Sequence, residues 1–354
     1  MLELLQSLRR PLKDFRWGIL PVPGRLLAVI FFIFLFVFPL ITTHGYPMYL
    51  MTVAALFTIF AVSWDLLSGY SGQVSFGHAL FFGGGAYGSA LLYMHLGWPP
   101  AATILLGTLI GTGIGVLTCF PALRLRPPYL SLLTMAFPII LERIVRSLPN
   151  DLAGGNYGIR GLPELAGSAI ESYYICLVVM TVSVLIMWKL TDAGSKYVRT
   201  GLLFHAIRED EIAARATGIN TIRYKILAFA IGGFFASLAG ALYAHYQSLA
   251  SPAYFSLLQS FLAIIWVVFG GIVSIYGAVV GVYTLYVGMD FIRLTPAAPY
   301  QMLIMTVVII VILLFMPEGV GVWIRDKLER ECPRCKLSNA AWRKTCRACG
   351  ADLR

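Results

Sequence analysis

The sequence predicts an all-α polytopic membrane protein of about ten transmembrane or re-entrant helices, followed by a small C-terminal zinc ribbon with four cysteine ligands. Three observations predict it. Hydrophobic residues make up 58% of the 354 residues and charged residues only 12%, against about a quarter charged in an ordinary soluble domain. Apolar stretches near the roughly 20 residues of a bilayer crossing recur along most of the chain. Four of the six cysteines crowd into its end at metal-ligand spacing. This composition excludes a disordered chain, a disulfide scaffold and a plain soluble enzyme.

The first 25 residues are basic through Arg9, Arg10, Lys13, Arg16 and Arg25, and residues 26–40 are almost purely apolar. The basic region is long, no small-x-small cleavage site follows, and more spans come after. The segment therefore reads as an uncleaved first helix rather than a signal peptide. Further apolar segments follow at 47–66, 74–96, 101–123, 129–144, 173–190, 226–246, 257–272, 275–292 and 301–315. Two are weak. Gly77, His78, Gly83, Gly84, Gly85 and Gly88 interrupt 74–96, and 257–272 is short and runs into Gly270-Gly271. Such interruptions predict broken or re-entrant helices, tolerated where protein or a water-filled path covers the freed backbone.

Charge placement gives the orientation. With a cytoplasmic N-terminus and ten crossings, all but four of the 27 Lys and Arg fall on the cytoplasmic side, the exceptions being Arg143, Arg146, Arg160 and Arg293. The positive-inside rule therefore puts both termini in the cytoplasm, in a multi-pass plasma (inner) membrane protein. An even number of crossings is better supported than ten itself.

Residues 66–78, Leu66-Leu67-Ser68-Gly69-Tyr70-Ser71-Gly72-Gln73-Val74-Ser75-Phe76-Gly77-His78, are odd for a lipid-facing helix. Gln73, Ser75 and His78 are polar groups at membrane depth, where such groups face a bundle interior or an aqueous path. Glycines permit close helix contact or an unwound turn. The segment therefore reads either as lining of a translocation path or as tight packing with internally satisfied polar groups. Gly83 to Gly88 formally matches G-x-G-x-x-G, but no strand precedes it, so small residues for helix packing are the better reading. No Walker A motif and no Gly-Lys pair occurs, so the chain binds no nucleotide through such a loop.

Between two spans, residues 201–220 read as a short amphipathic cytoplasmic helix. Phe204, Ile207 and Ile212 approximate one stripe, Arg208, Glu209, Asp210 and Glu211 lie nearby, and Gly218 is a natural stop. Two readings stand: a helix that docks into a soluble partner, or a solvated or interfacial connector.

Residues 66–78, followed by Phe81 and Gly85-Ala86-Tyr87, resemble the membrane-permease signature of branched-chain amino acid ABC importers. Residues 206–220 resemble that family's cytoplasmic motif. Tyr224-Lys225, Ala228-Phe229, 239–244, Ser251-Pro252, Gly270-Gly271, 277–281 and Pro317-Glu318-Gly319 continue it in order. The similarity covers about residues 25–325 and is nearest the LivM-type subunit. It implies a basic cytoplasmic arm at 1–25, a permease domain at 26–325 and an added cytoplasmic tail at 326–354. It also implies a transport subunit rather than an enzyme, which moves branched-chain or related small amino acids into the cytoplasm. The partners implied are a second, LivH-type permease, two cytoplasmic ATPases that hydrolyse the ATP, an extracytoplasmic solute-binding protein and the membrane lipids. Phe204, Ile207, Arg208, Glu209 and Glu211 would then couple to the ATPases, while Gln73, Ser75, His78 and Asp65 would border the path. Two departures stand out: Asp65 where the pattern usually has Asn, and Val273 where a glycine is expected. Related permeases carry urea or short amides, which remain alternative substrates.

The tail reads C-x2-C-x10-C-x2-C through Cys332, Cys335, Cys346 and Cys349. Two thiolate pairs at this spacing complete a tetrahedral structural zinc site, and a reducing cytoplasm disfavours disulfides. Its basic residues and Trp342 offer little nucleic-acid surface, so no nucleic-acid partner is expected. An ion-coupled transporter or channel is the competing class. Such proteins carry paired intramembrane charges, whereas the spans here hold very few charges, Asp65 and Asp290 among them near the ends, and none central.

Overall fold

The computed structural model describes residues 23–42, 45–121, 127–192, 199–332, 338–346 and 349–352. The basic arm, apart from the first helical residues, and Cys335 lie outside the described residues. The helices are α1 (Pro23–Ile41), α2 (Gly45–Trp64), α3 (Ala79–Leu96), α4 (Pro100–Cys119), α5 (Pro127–Ser147), α6 (Asn150–Ala153) and α7 (Ala169–Thr191). They continue as α8 (Thr200–Glu209), α9 (Glu211–Ala216), α10 (Thr221–Tyr246), α11 (Leu257–Gly270), α12 (Ile275–Arg293), α13 (Gln301–Phe315) and α14 (Val320–Leu328). Two short antiparallel ribbons also occur: β1 (Ile159–Arg160) with β2 (Leu249–Ala250), and β3 (Glu329–Glu331) with β4 (Ser338–Ala340).

Each apolar segment falls on a helix, yet the expected ten crossings are not matched by ten span-length helices. Among the described residues, six stretches are long and apolar enough: Gly45–Tyr70, Pro100–Cys119, Ala169–Thr191, Thr221–Tyr246, Ile275–Arg293 and Ala298–Phe315. Leu26–Ile41 and Leu257–Gly270 are apolar but shorter. Glycines dilute α3, and α5 carries Glu142, Arg143 and Arg146.

The core is built around α2. Its small residues Ala54, Ala55, Ala61 and Ser63 are fully buried. Its buried hydroxyls bond back along the helix, Thr52 to the Met48 carbonyl and Thr58 to the Ala54 carbonyl, which removes them from contact with lipid. Helices α3, α4 and α10 meet through glycines. Gly84 lies against Gly111 and Gly88 against Gly107. A Cβ on Gly85 would stand 2.0 Å from the Ser237 carbonyl oxygen. The glycine run at 83–85 is therefore a packing surface, and α3 passes through it unbroken. The break sits earlier: α2 ends in one π-helical turn, Asp65–Tyr70, and the chain stays non-helical until α3, with Gly72 at φ +71°.

At one end of the bundle, His245 of α10 gathers three elements. Its Nδ1 donates to the Pro163 carbonyl (2.9 Å), so Nε2 accepts from Ser89 of α3 (2.8 Å) and lies 3.2 Å from Thr103 Oγ1 of α4. The β1–β2 ribbon ties the same end together by pairing Ile159 with Ala250.

Candidate functional site

The polar break between α2 and α3 is a closed knot of internal hydrogen bonds. Ser63 Oγ donates to the Phe60 carbonyl (2.7 Å) and so accepts from His78 Nε2 (2.8 Å). The His78 ring lies beside Phe60 and Phe81, and its buried Nδ1 has no hydrogen-bond partner among the described residues. Trp64 Nε1 donates to the Ser75 carbonyl (2.8 Å). Ser68 Oγ donates to the Gln73 carbonyl and accepts from the Ser75 amide, each at 3.2 Å. Gln73, Ser75 and His78 are brought together and buried, while Val74 between them is exposed. Internal partners of this kind are what allow non-helical backbone at membrane depth.

Asp65 opens the π-helical turn and is wholly buried. Its Oδ1 accepts from the Val273 amide (2.8 Å) and its Oδ2 from the Ser274 amide (3.1 Å). Those residues form the tight turn between α11 and α12, where Ser274 Oγ caps α12 by accepting from the Gly277 amide. Val273 has φ +62°, a left-handed conformation that costs a β-branched residue about 1–3 kcal/mol. A glycine would adopt it freely. The chain entering α14 packs on the same turn: a Cβ on Gly319 would lie 2.4 Å from the Gly271 nitrogen, and one on Gly321 2.6 Å from the Gly270 oxygen.

The expected single loop helix is two. Asp210 is extended (φ −154°) and its carboxylate accepts from the Ile212 and Ala213 amides, so it ends α8 and caps α9. Gly218 at φ +87° stops α9, as its position predicts. The stripe corrects a further expectation. Phe204 and Ile207 are 0% and 4% exposed, packed into the chain's own fold, and so are not free to fill a partner's groove. Ile212 is 82% exposed and points outward with Arg208 and Glu209.

Glu211 also works inward. It pairs with Arg215 and with Lys225 (2.7 Å), and accepts from Thr221 Oγ1 (3.2 Å), which clamps α9 to the start of α10. Burial pushes its carboxyl up, but the hydrogen bonds and charges of Lys225 and Arg215 outweigh this and hold it below the ordinary value. Sequence reasoning missed this clamp; the signal was Lys225, a lysine placed where an apolar run begins. Helix α8 in turn touches the π-helical turn. His205 meets Tyr70 edge to face at 5.5 Å, and a Cβ on Gly72 would lie 3.1 Å from the Arg208 Cα.

In the tail, the sulfurs of Cys332, Cys346 and Cys349 lie within 4.8 Å of one another, with Cys332 and Cys349 3.5 Å apart. Sulfurs sharing one tetrahedral zinc at about 2.3 Å stand about 3.8 Å apart, so the three can hold a metal. Asn339 Nδ2 donates to Cys346 Sγ (3.6 Å), the kind of contact that orients a thiolate ligand. The β3–β4 hairpin delivers Cys332, and a turn with Gly350 at φ +68° delivers Cys346 and Cys349.

Comparison with known proteins agrees with this architecture. Residues 46–313 match the family described as branched-chain amino acid transport system / permease component. The chain is 27% identical over 318 residues to the high-affinity branched-chain amino acid transport system permease protein LivM of Salmonella typhimurium, covering 82% of this chain and 73% of that protein. It is 26% identical over 349 residues to LivM of Escherichia coli, covering 90% and 78%. It is also 26% identical over 290 residues to the permease protein LivH of Escherichia coli, covering 76% and 92%. No solved structure matches the chain.

Proposed function

Because this chain belongs to the branched-chain amino acid transport permease family, we propose that it is the membrane subunit of an importer that moves branched-chain or related small amino acids into the cytoplasm. ATP hydrolysis in two partner ATPases drives it, a second permease of the LivH type completes the pathway, and an extracytoplasmic binding protein delivers the substrate. Both termini face the cytoplasm, with the permease body at 26–325 and the tail at 326–354.

The observation that carries this reading is the way α8 and α9 are mounted. Their inner side is locked through Phe204, Ile207 and Glu211, and their outer side presents Arg208, Glu209 and Ile212. A connector fixed on one side and bare on the other transmits a push from a docked partner. The apolar anchor of that contact is Ile212, with Arg208 and Glu209 setting orientation. The polar knot at Gln73, Ser75 and His78 borders the path and opens in another transport state; cysteine at each position, probed with water-soluble thiol reagents, tests this. Inertness in every state would make the knot purely structural.

Reconstitution with the partner subunits tests the main reading. Uptake is expected with ATP and not with a non-hydrolysable analogue. Concentrative uptake without any ATPase subunit overturns it. In the tail, Cys332, Cys346 and Cys349 hold a zinc ion, with Cys335 as the fourth ligand on spacing. The zinc fixes the fold of the tail and carries no transport chemistry.

A further inference from the structure

We propose that Asp65 is a positioning residue: its buried carboxylate holds the α11–α12 turn in a conformation the turn does not favour alone, and through it α8 sets the position of that turn. The proposal rests on the reading of the chain as an ATP-coupled permease. The observations form a continuous line. Helix α8 touches the π-helical turn through His205 on Tyr70, and Arg208 lies over Gly72 just beyond it. Gly72, at φ +71°, lets the Arg208 backbone come that close. The π-helical turn begins at Asp65, and both carboxylate oxygens leave it for the amides of Val273 and Ser274.

The chemistry of this grip needs a carboxylate. Two neighbouring backbone N–H groups point at one side chain, and a carboxylate offers an acceptor to each. An asparagine offers one oxygen and turns an amide N–H2 on the second donor. The grip also has work to do, because Val273 stands at φ +62°, where a β-branched side chain crowds the backbone. A movement of α8 therefore reaches the N-terminus of α12 through one buried side chain. The turn is also where Gly319 and Gly321 bring the start of α14 against Gly270 and Gly271.

The test compares wild type, Asp65→Asn, Val273→Gly and the double variant in the assembled complex. Melting and uptake per ATP hydrolysed are both measured. Asp65→Asn is expected to lower the melting temperature and to cut uptake per ATP several-fold while ATPase activity persists. In the Val273→Gly background the same change is expected to do little to either, because glycine holds the turn unaided; contact between two residues shows as this non-additivity. Additive melting effects overturn the grip. Non-additive melting with uptake per ATP unchanged in Asp65→Asn overturns the relay. If Asp65→Asn alone does not assemble, the double variant decides: assembled and coupled it supports the proposal, and unassembled it overturns it. A wild-type complex without ATP-driven uptake sinks the importer reading, and the melting cycle still judges the grip by itself.

Discussion

Helices α2 and α13 are both strongly apolar and live in opposite surroundings. In the most apolar 18 residues of the stretch that contains α2, 94% of the residues are buried, against 6% in the stretch that contains α13, although the latter is the more apolar. In lipid the tails are as apolar as leucine, so apolarity alone draws no helix into a bundle. Small side chains do, because they let backbones approach and dispersion contacts accumulate. Helix α2 has Ala54, Ala55, Ala61 and Ser63 on its packed faces, while the 15 residues of α13 contain no Gly, Ala or Ser. Apolarity therefore marks what faces lipid, and small residues mark what faces protein.

The largest effect is expected where that rule is broken outright. Leucine at Gly85 would drive a side chain into the Ser237 carbonyl, since even a Cβ would come within 2.0 Å of it. Neither α3 nor α10 can yield without losing the other contacts of the glycine seam. A loss above about 3 kcal/mol is expected, beyond ordinary overpacking. Assembled protein recovered by size-exclusion chromatography should fall to a trace. Val307→Leu on the bare face of α13 should leave recovery unchanged.

This contrast also explains what the sequence made legible. Helix positions followed from apolar runs, and the glycine seam from small residues at membrane depth. The inward use of Phe204 and Ile207 did not follow, because an amphipathic stripe has the same spacing whether it packs on its own bundle or on a partner. The Asp65 grip was half visible. Asp65 and Val273 were separate departures from the family pattern, and only the fold brings the one onto the amide of the other. Residues 208 positions apart share no local periodicity to betray a contact.

The next effect concerns a polar interior contact. Lys225 is only 3% exposed and meets Glu211, which is partly solvated. Breaking a buried pair by removing one partner costs about 3–5 kcal/mol, and the solvation of Glu211 puts this one at the low end. Glu211→Gln should loosen α9 from α10, seen as earlier proteolysis at 210–220, with the membrane helices intact. The pH dependence follows from the sign of the shift. The Glu211 carboxyl is held below its ordinary value, so its contribution is present above the unfolded value near 4.3. It is lost as pH falls through the folded value. The loop should therefore be insensitive to pH between about 5 and 8 and become labile only in stronger acid. Loosening near neutral pH would mean that another group controls it.

A smaller effect on the body is expected from the tail, which shows little apolar core among its described residues. Its buried cluster consists of Cys332 and Cys346, with Cys349 and Ala351 against them. So few residues hold no fold without a cross-link, and metal binding and folding should be one event. Replacing Cys346 and Cys349 with serine should abolish zinc in elemental analysis of the purified chain and make the tail protease-sensitive, while the helical body melts as before. Zinc absent from the unaltered chain would end the metal assignment. A lowered melting temperature of the body would mean that the ribbon braces α14 on the α11–α12 turn.

The smallest effect is expected on α13, and it tests the rule from the other side. Leu303, Ile310 and Leu314 are 64%, 52% and 74% exposed. Truncating them together to alanine removes contacts that the chain itself does not make, so its stability should change by less than about 0.5 kcal/mol for each position. A helix with no small residues offers a partner only a rough, wide-spaced face, so lipid is the occupant expected there and the second permease should still co-purify. Alanines also narrow the helix, which in lipid favours closer approach of a neighbour rather than its loss. If the triple variant instead loses the second permease, α13 is an interface built from large side chains. Apolarity would then have marked a partner, and the contrast with α2 would reduce to one between two kinds of protein contact.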